Sequence, residues 1–182
     1  MRRLSIALLF GASVVSACHP AAAPVSVSNR PVSINDAPVK KPLREMTWTG
    51  NDGKSVALND LAGKVVILDF WATYCPPCRD EIPHLNAIHA EFADSGVIVV
   101  GLNSGGPEDK PKIPEFLRQT PIDYQLAFPD NDLEAYIFAD DDRIPQTIVI
   151  DRRGRVVKRI IGFDEQIKKD LDAAVQTAMS IQ

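Results

Sequence analysis

Apolar positions along the chain change their period several times, and each change predicts an element. Thr47-Trp48-Thr49 and Ser55-Val56-Ala57-Leu58 are short β-branched or aromatic runs on either side of Gly50-Asn51-Asp52-Gly53. Turn-forming residues between two such runs predict a β-hairpin. Lys64-Val65-Val66-Ile67-Leu68-Asp69-Phe70-Trp71 is apolar at both alternating sets of positions, as a strand covered on both faces requires. Asp69 is the one acid within it. Beyond this run, Ile82, Leu85, Ile88 and Phe92 recur at helical spacing and give one apolar face. Gly96 closes that helix, and Val97-Ile98-Val99-Val100-Gly101-Leu102 reads as a second buried strand. Strand, helix and strand in this order imply a parallel crossover.

The second half of the chain continues the alternation. Residues 103–113 form a loop containing Gly and Pro, Ile113 to Arg118 a short helix, and Asp132 to Phe138 another. Thr147-Ile148-Val149-Ile150 and Val156-Val157-Lys158-Arg159-Ile160-Ile161 flank Asp151-Arg152-Arg153-Gly154, which predicts an antiparallel hairpin. The last segment has Asp164 as a helix cap and Ile167, Leu171, Ala174, Val175, Ala178 and Met179 along one face. Together these elements predict an α/β fold: a mixed central sheet with helices on both faces and a hairpin at its start.

The amino-terminal region lacks either period. Met1-Arg2-Arg3 is positive, and Leu4 to Ala17 is almost wholly apolar or small, the layout of a secretory signal. The run is shorter than the roughly 20 apolar residues of a membrane span. It ends in Val15-Ser16-Ala17-Cys18, which resembles the lipobox of bacterial lipoproteins. That resemblance implies cleavage before Cys18 and lipid attachment to it, against the plainer reading of an ordinary signal peptide cut near a cysteine. From Cys18 to Leu43 the chain is rich in Pro, Ala and Ser, with Pro20, Pro24, Pro31, Pro38 and Pro42, and reads as a tether. As polyproline II it would reach about 70 Å. The expected division is therefore a leader over residues 1–17, a tether over 18–43 and a folded domain over 44–182.

Charge narrows the partners. The chain carries a formal net charge of -4, with 45% hydrophobic and 24% charged residues. No basic face or arm stands out against that acidic balance, so a nucleic-acid partner is not expected. An exported chain with three cysteines leaves one unpaired. With Cys18 carrying lipid, Cys75 and Cys78 remain as a pair.

That pair carries the chemistry. Two cysteines separated by two residues at a strand-to-helix junction can close a small disulfide. The first sulfur then sits at the helix start, where unpaired N–H groups and the helix dipole favour an anion. Cys75 is thus the expected thiolate and exposed attacker. Asp69 on the preceding strand is an acid that either turns into the fold or faces solvent. Glu81, three residues after Cys78, either shares its side of the helix or serves only the helix dipole.

Phe70-Trp71-Ala72-Thr73-Tyr74-Cys75-Pro76-Pro77-Cys78-Arg79-Asp80-Glu81-Ile82-Pro83 resembles the active-site segment of the thioredoxin superfamily. The similarity is to its TlpA/ResA-like branch of exported disulfide reductases, where W-A-T-W-C-x-P-C followed by E-x-P is usual. It extends over about residues 44 to 180. It implies a thioredoxin-like fold and a protein-disulfide reductase with no cofactor beyond a redox-active Cys75–Cys78 disulfide. Cys75 would form a mixed disulfide with substrate, and the buried Cys78 would resolve it. Asp69 and Glu81 are then two candidate acceptors for the Cys78 proton, although relatives of the ResA group usually have only the second.

In the same family the proline matching Pro145 is cis and lies against the cysteines, with the backbone of Ile144 free to pair with an extended substrate. A trans proline at a strand edge is the alternative. Tyr74, Pro76 and Pro77 complete the expected substrate rim. Tyr74 stands where Trp is usual, and Gln146 where Thr is common, which bears on the rim. The implied partners are protein thiols and disulfides, such as the Cys-x-x-Cys-His segment of apocytochrome c or metal-site thiols in oxidase assembly. A membrane-bound electron donor would recharge the pair, in the periplasm or at the outer face of the cell envelope.

Other chemistries fit less well. A structural zinc site needs four ligands, and there is no second Cys-x-x-Cys. His84 and His89 fall on different helical faces, Asp130-Asn131-Asp132 and Asp140-Asp141-Asp142 lack the calcium-loop glycine, and Gly105-Gly106 lacks the rest of a phosphate loop. No metal is expected. Two rival functions remain: a disulfide oxidase or isomerase, and a lipid-tethered module that binds thiols or copper without turnover.

Overall fold

The structure, a computed structural model, describes residues 41–181. The leader, Cys18 and nearly all of the tether lie outside the described residues. The expected domain start at Arg44 falls inside a 3-10 turn, Leu43–Glu45, whose Leu43 packs against the core.

Among the described residues, seven strands form one sheet. They are β1 (Thr47–Gly50), β2 (Ser55–Ala57), β3 (Val65–Trp71), β4 (Val97–Asn103), β5 (Gln125–Pro129), β6 (Gln146–Ile150) and β7 (Val156–Ile161). In space they run β2-β1-β5-β4-β3-β6-β7. β3, β4 and β5 are parallel; β6 and β7 add antiparallel on one side and β1 and β2 on the other. The helices are α1 (Pro76–Phe92), α2 (Ile113–Gln119), α3 (Asn131–Ile137) and α4 (Glu165–Ser180).

The pattern of burial explains why β3 lies at the centre. Every one of its residues is buried, because α1 and α4 cover one face and α3, with Leu58 and Leu61 from the 3-10 turn before β3, covers the other. Val66, Leu68 and Phe70 pack with Trp48, Leu102, Leu133 and Ile148. Val65 and Ile67 point the other way and pack with Leu85 and Ile88 of α1 and Leu171, Ala174 and Val175 of α4. This alternation carries Asp69 and Trp71 to the α1 face.

Two features differ from the expected outline. β5 joins the sheet between β4 and β1, through three parallel pairs to the first and three antiparallel pairs to the second. It was not foreseen, because Gln125-Leu126-Ala127-Phe128-Pro129 has little β-branched character and ends in Pro. The helix after the cysteines ends at Phe92, and a 3-10 turn over Ala93–Ser95 leads to Gly96, whose φ of 80° places it in the left-handed region. At the start of α4, Asp164 accepts hydrogen bonds from the amides of Gln166 and Ile167, as its capping position requires.

Candidate active site

β3 delivers the chain to the site, and α1 begins there. Cys75 caps α1, its Sγ accepting the Cys78 N–H at 3.3 Å. Pro76 and Pro77 occupy the first helical positions, where no N–H is needed, and their fixed φ suits the turn. Cys75 and Cys78 form a disulfide with Cα atoms 5.4 Å apart. Both sulfur residues are nearly enclosed, Cys75 with 4% and Cys78 with 1% of its surface accessible. The exposed Cys75 expected above is therefore corrected: the pair clusters with Trp71, Ala72, Ile82 and Phe116, and Ile144 packs against that cluster. Tyr74 is 63% accessible, and Pro76 is also exposed, so the rim stands higher than the sulfur.

Both acids are buried in the fold, Asp69 on β3 and Glu81 on α1 one turn after Cys78. Asp69 and Glu81 are each 1% accessible, so neither faces solvent. In the sheet register Asp69 stands between Thr147 of β6 and Gly101 of β4. The hydroxyl of Thr147 donates to Glu81 Oε1 at 2.6 Å, and the phenol of Tyr124 donates to Asp69 Oδ2 at 2.9 Å. Glu81 Oε2 is buried without a protein partner. Burial raises the Asp69 carboxyl to about 7, against the pull of the Tyr124 hydrogen bond. Burial, and then the Asp69 charge, hold Glu81 well above the usual carboxylate range despite Thr147. Two such neighbours titrate as a pair, and both hold their protons to higher pH than an ordinary carboxylate does.

On the far side, the Ile144–Pro145 peptide bond is cis. Pro145 is buried, and its carbonyl accepts the Gly162 N–H at 2.8 Å. Gln146 does not contribute to the rim. Its side chain is fully buried on the sheet face opposite Thr147, donating to the carbonyls of Asp141 and Arg143 and accepting from Arg159 Nε. The residue therefore secures the loop that presents Ile144.

Several residues of the site were missed in the sequence. Thr73, two positions before Cys75, is held on both sides. Its amide donates to Asp109 Oδ2 at 2.9 Å, its hydroxyl donates to Asp109 Oδ1, and its carbonyl accepts from Arg79 Nη2 at 3.1 Å. Asn103 also donates to Asp109, at 2.9 Å. The Arg79 guanidinium lies 4.8 Å from the centre of the Phe116 ring, which in turn stacks on Trp71 at 4.8 Å. Thr73 and Asp109 are 36 positions apart and Asp69 and Tyr124 are 55 apart, so no local spacing joins them. Of the other polar groups considered above, His84 pairs with Asp172, Asp130 accepts from Thr47 and Thr49, and Asp141 binds Arg143, while the buried Nδ1 of His89 has no hydrogen-bond partner among the described residues.

Known proteins share this framework. The AhpC/TSA family profile matches residues 39–159. Thiol-disulfide oxidoreductase ResA of Bacillus cereus is 34% identical over 131 residues, which span 70% of this chain and 71% of that protein. The protein of the same name from Halalkalibacterium halodurans is 36% identical over 123 residues, spanning 65% and 66%. Among solved structures, the thiol:disulfide interchange protein DsbE from Chlorobium tepidum superposes with a TM-score of 0.66 at 29% identity, covering 78% of this chain and 97% of that one. The redox chemistry open to a Cys75–Cys78 disulfide on this scaffold is the chemistry for which those relatives are named, and the chain belongs to the AhpC/TSA family of the thioredoxin superfamily as a thiol-disulfide oxidoreductase.

Proposed function

We propose that the chain is a reductase of disulfides in exported proteins, held at the outer side of a membrane by lipid on Cys18. The observation that supports this most is the asymmetry of the pair. Cys75 caps α1 and is 4% accessible, while Cys78, one turn before Glu81 on α1, is 1% accessible.

In the reduced chain, the Cys75 thiolate is stabilised by the amides at the start of α1. It attacks one sulfur of the substrate disulfide, forming a mixed disulfide and releasing the other substrate sulfur as a thiolate. Cys78 then loses its proton to the acid pair and attacks Cys75 Sγ. That step closes the Cys75–Cys78 bond and releases the second substrate thiol, so two electrons pass from the chain to the substrate. An extended substrate segment lies beside the backbone of Ile144 and Pro145, with Tyr74, Pro76 and Pro77 forming the opposite rim. A membrane-bound reductant returns the pair to dithiol.

The substrate class is an exported protein whose thiols must be free for assembly, such as the Cys-x-x-Cys-His segment of apocytochrome c or the thiols of a metal site. Trapping on Cys78→Ala tests this. With no resolving thiol, Cys75 should retain such proteins as mixed disulfides that dithiothreitol releases. If Cys78→Ala retains none while Cys75→Ala behaves identically, the assigned roles are wrong.

A further inference from the structure

Asp109 is a buried acid that the thiol chemistry above does not use. It lies in the segment after β4 and is 1% accessible. Its carboxylate accepts only from uncharged donors: the Thr73 amide and the Asn103 side chain on Oδ2, each at 2.9 Å, and the Thr73 hydroxyl on Oδ1. Among the described residues it forms no ion pair. Burial would raise its carboxyl, but these donors, with the Lys112 charge nearby, hold it below the usual range, so it is ionised at neutral pH. A Cβ on Gly105 would lie 2.3 Å from Oδ2. The backbone of this segment therefore closes over the carboxylate, and water does not shield it.

That unneutralised charge is fixed beside the nucleophile. Thr73 lies two residues before Cys75, and the Cys75 amide donates back to the Ala72 carbonyl at 3.2 Å, which folds the segment on itself. Two residues span at most about 7 Å, so the carboxylate stands on the order of 10 Å or less from the Cys75 backbone. At such a separation an enclosed charge moves the ionisation of a thiol by up to about one unit. The other charged or titratable groups around the segment are Tyr74, Arg79 and Asp80 near the start of α1 and Lys112 after Asp109, all exposed, so solvent weakens their fields. Arg79 also donates to the Thr73 carbonyl, at 3.1 Å. Cys78, Asp69 and Glu81 are buried on α1 and β3.

We infer that Asp109 is a positioning residue for the nucleophile: held by Thr73, its fixed negative charge makes the Cys75 thiolate harder to form and biases the pair toward giving up its electrons. A thiolate that is less stable raises the energy of the reduced pair, while the disulfide carries no charge there and is little affected. The inference rests on the proposed role of Cys75 as the attacking thiolate.

The test uses the reduced full-length chain in detergent. Its alkylation by iodoacetamide is followed against pH, and the label on Cys75 is located by fragmentation of the peptide, so Cys18 does not interfere. Asp109→Asn is the sharpest variant: its amide oxygen can replace Oδ2 and its NH2 can donate to the Thr73 hydroxyl, so the clamp stays and the charge goes. It should lower the Cys75 midpoint by about 0.5 to 1 unit. At pH 9, where Cys75 is ionised in both chains, equilibrium with dithiothreitol should move three- to tenfold toward the dithiol, about 15 to 30 mV upward. Well below the midpoint the two chains should have equal potentials. Gly105→Ala, which pushes the carboxylate away, should lower the midpoint by a smaller amount. Thr73→Val loses one hydrogen bond but leaves the charge in place; it should weaken the fold and move the midpoint by less than about 0.2 unit.

An unchanged or raised midpoint in Asp109→Asn, no shift in Gly105→Ala, or a Thr73→Val shift as large as that of Asp109→Asn overturns the inference alone. Labelling of Cys78 ahead of Cys75 in the unaltered chain overturns the role of Cys75 as attacker, and the inference with it.

Discussion

Asp109 reaches across from the segment after β4 to hold Thr73 by both its amide and its hydroxyl. The contact matters because Thr73 stands between the end of β3 and the nucleophile, so its backbone sets where Cys75 begins α1. Asp109 is 1% accessible. Burial alone would raise its carboxyl, but the hydrogen bonds from Asn103 and Thr73, with the Lys112 charge nearby, outweigh burial and hold it below the usual range.

Asp109→Ala would leave the Thr73 amide and the Asn103 side chain without that acceptor. Each unsatisfied buried group costs about 1–3 kcal/mol, so denaturant unfolding should show a loss of roughly 3 kcal/mol. Asp109→Asn keeps one oxygen and should lose less. A change below about 0.5 kcal/mol for Asp109→Ala would remove the clamp from the account.

Gly105 tests the same clamp from outside. A Cβ at that position would lie 2.3 Å from Asp109 Oδ2, so Gly105→Ala must displace the carboxylate. It should reproduce the Asp109→Ala loss of stability, and the double variant should lose much less than the sum of the two. Full additivity in urea melts would show that the glycine acts elsewhere.

The buried acids give stability an unusual dependence on pH. Asp69 and Glu81 both bind protons more tightly in the folded chain than in the unfolded one. Their contribution is therefore greatest in the protonated form, and it is lost as pH rises from the unfolded value of about 4 through about 7 for Asp69 and through the raised value of Glu81. Asp69→Asn removes the titration of the first acid. It should raise the melting temperature at pH 8 by on the order of 5 °C and change it little at pH 4. Asp109 and Asp151 have lowered values and act in the opposite direction, losing their contribution as pH falls below about 4. The comparison of Asp69→Asn with the unaltered chain isolates the upper window; equal melting temperatures at pH 8 would contradict the buried charge.

Much of this was legible along the chain, and the gaps have physical causes. The run Val65–Trp71, apolar on both faces but for Asp69, marked the central strand, because only a strand covered on both faces tolerates it. The cysteine spacing and Pro145 marked the two halves of the site. β5 escaped because its five residues gain their structure from neighbours on both sides, with little propensity of their own. Tyr124 and Asp109 escaped because their partners lie far away in sequence, and a lone Tyr or Asp in a loop carries no spacing to read. The enclosure of Cys75 was misjudged because the side chains around it, Phe116 and Ile144 among them, arrive from distant segments.

The reduction potential of the Cys75–Cys78 pair in the full-length chain tests the central proposal most directly. Equilibrated against a dithiol buffer of known potential, a pair built to reduce exported disulfides should sit near about -270 mV, in the range of thioredoxin. A value near about -120 mV, the range of a dedicated oxidant, would contradict the direction of electron flow proposed here.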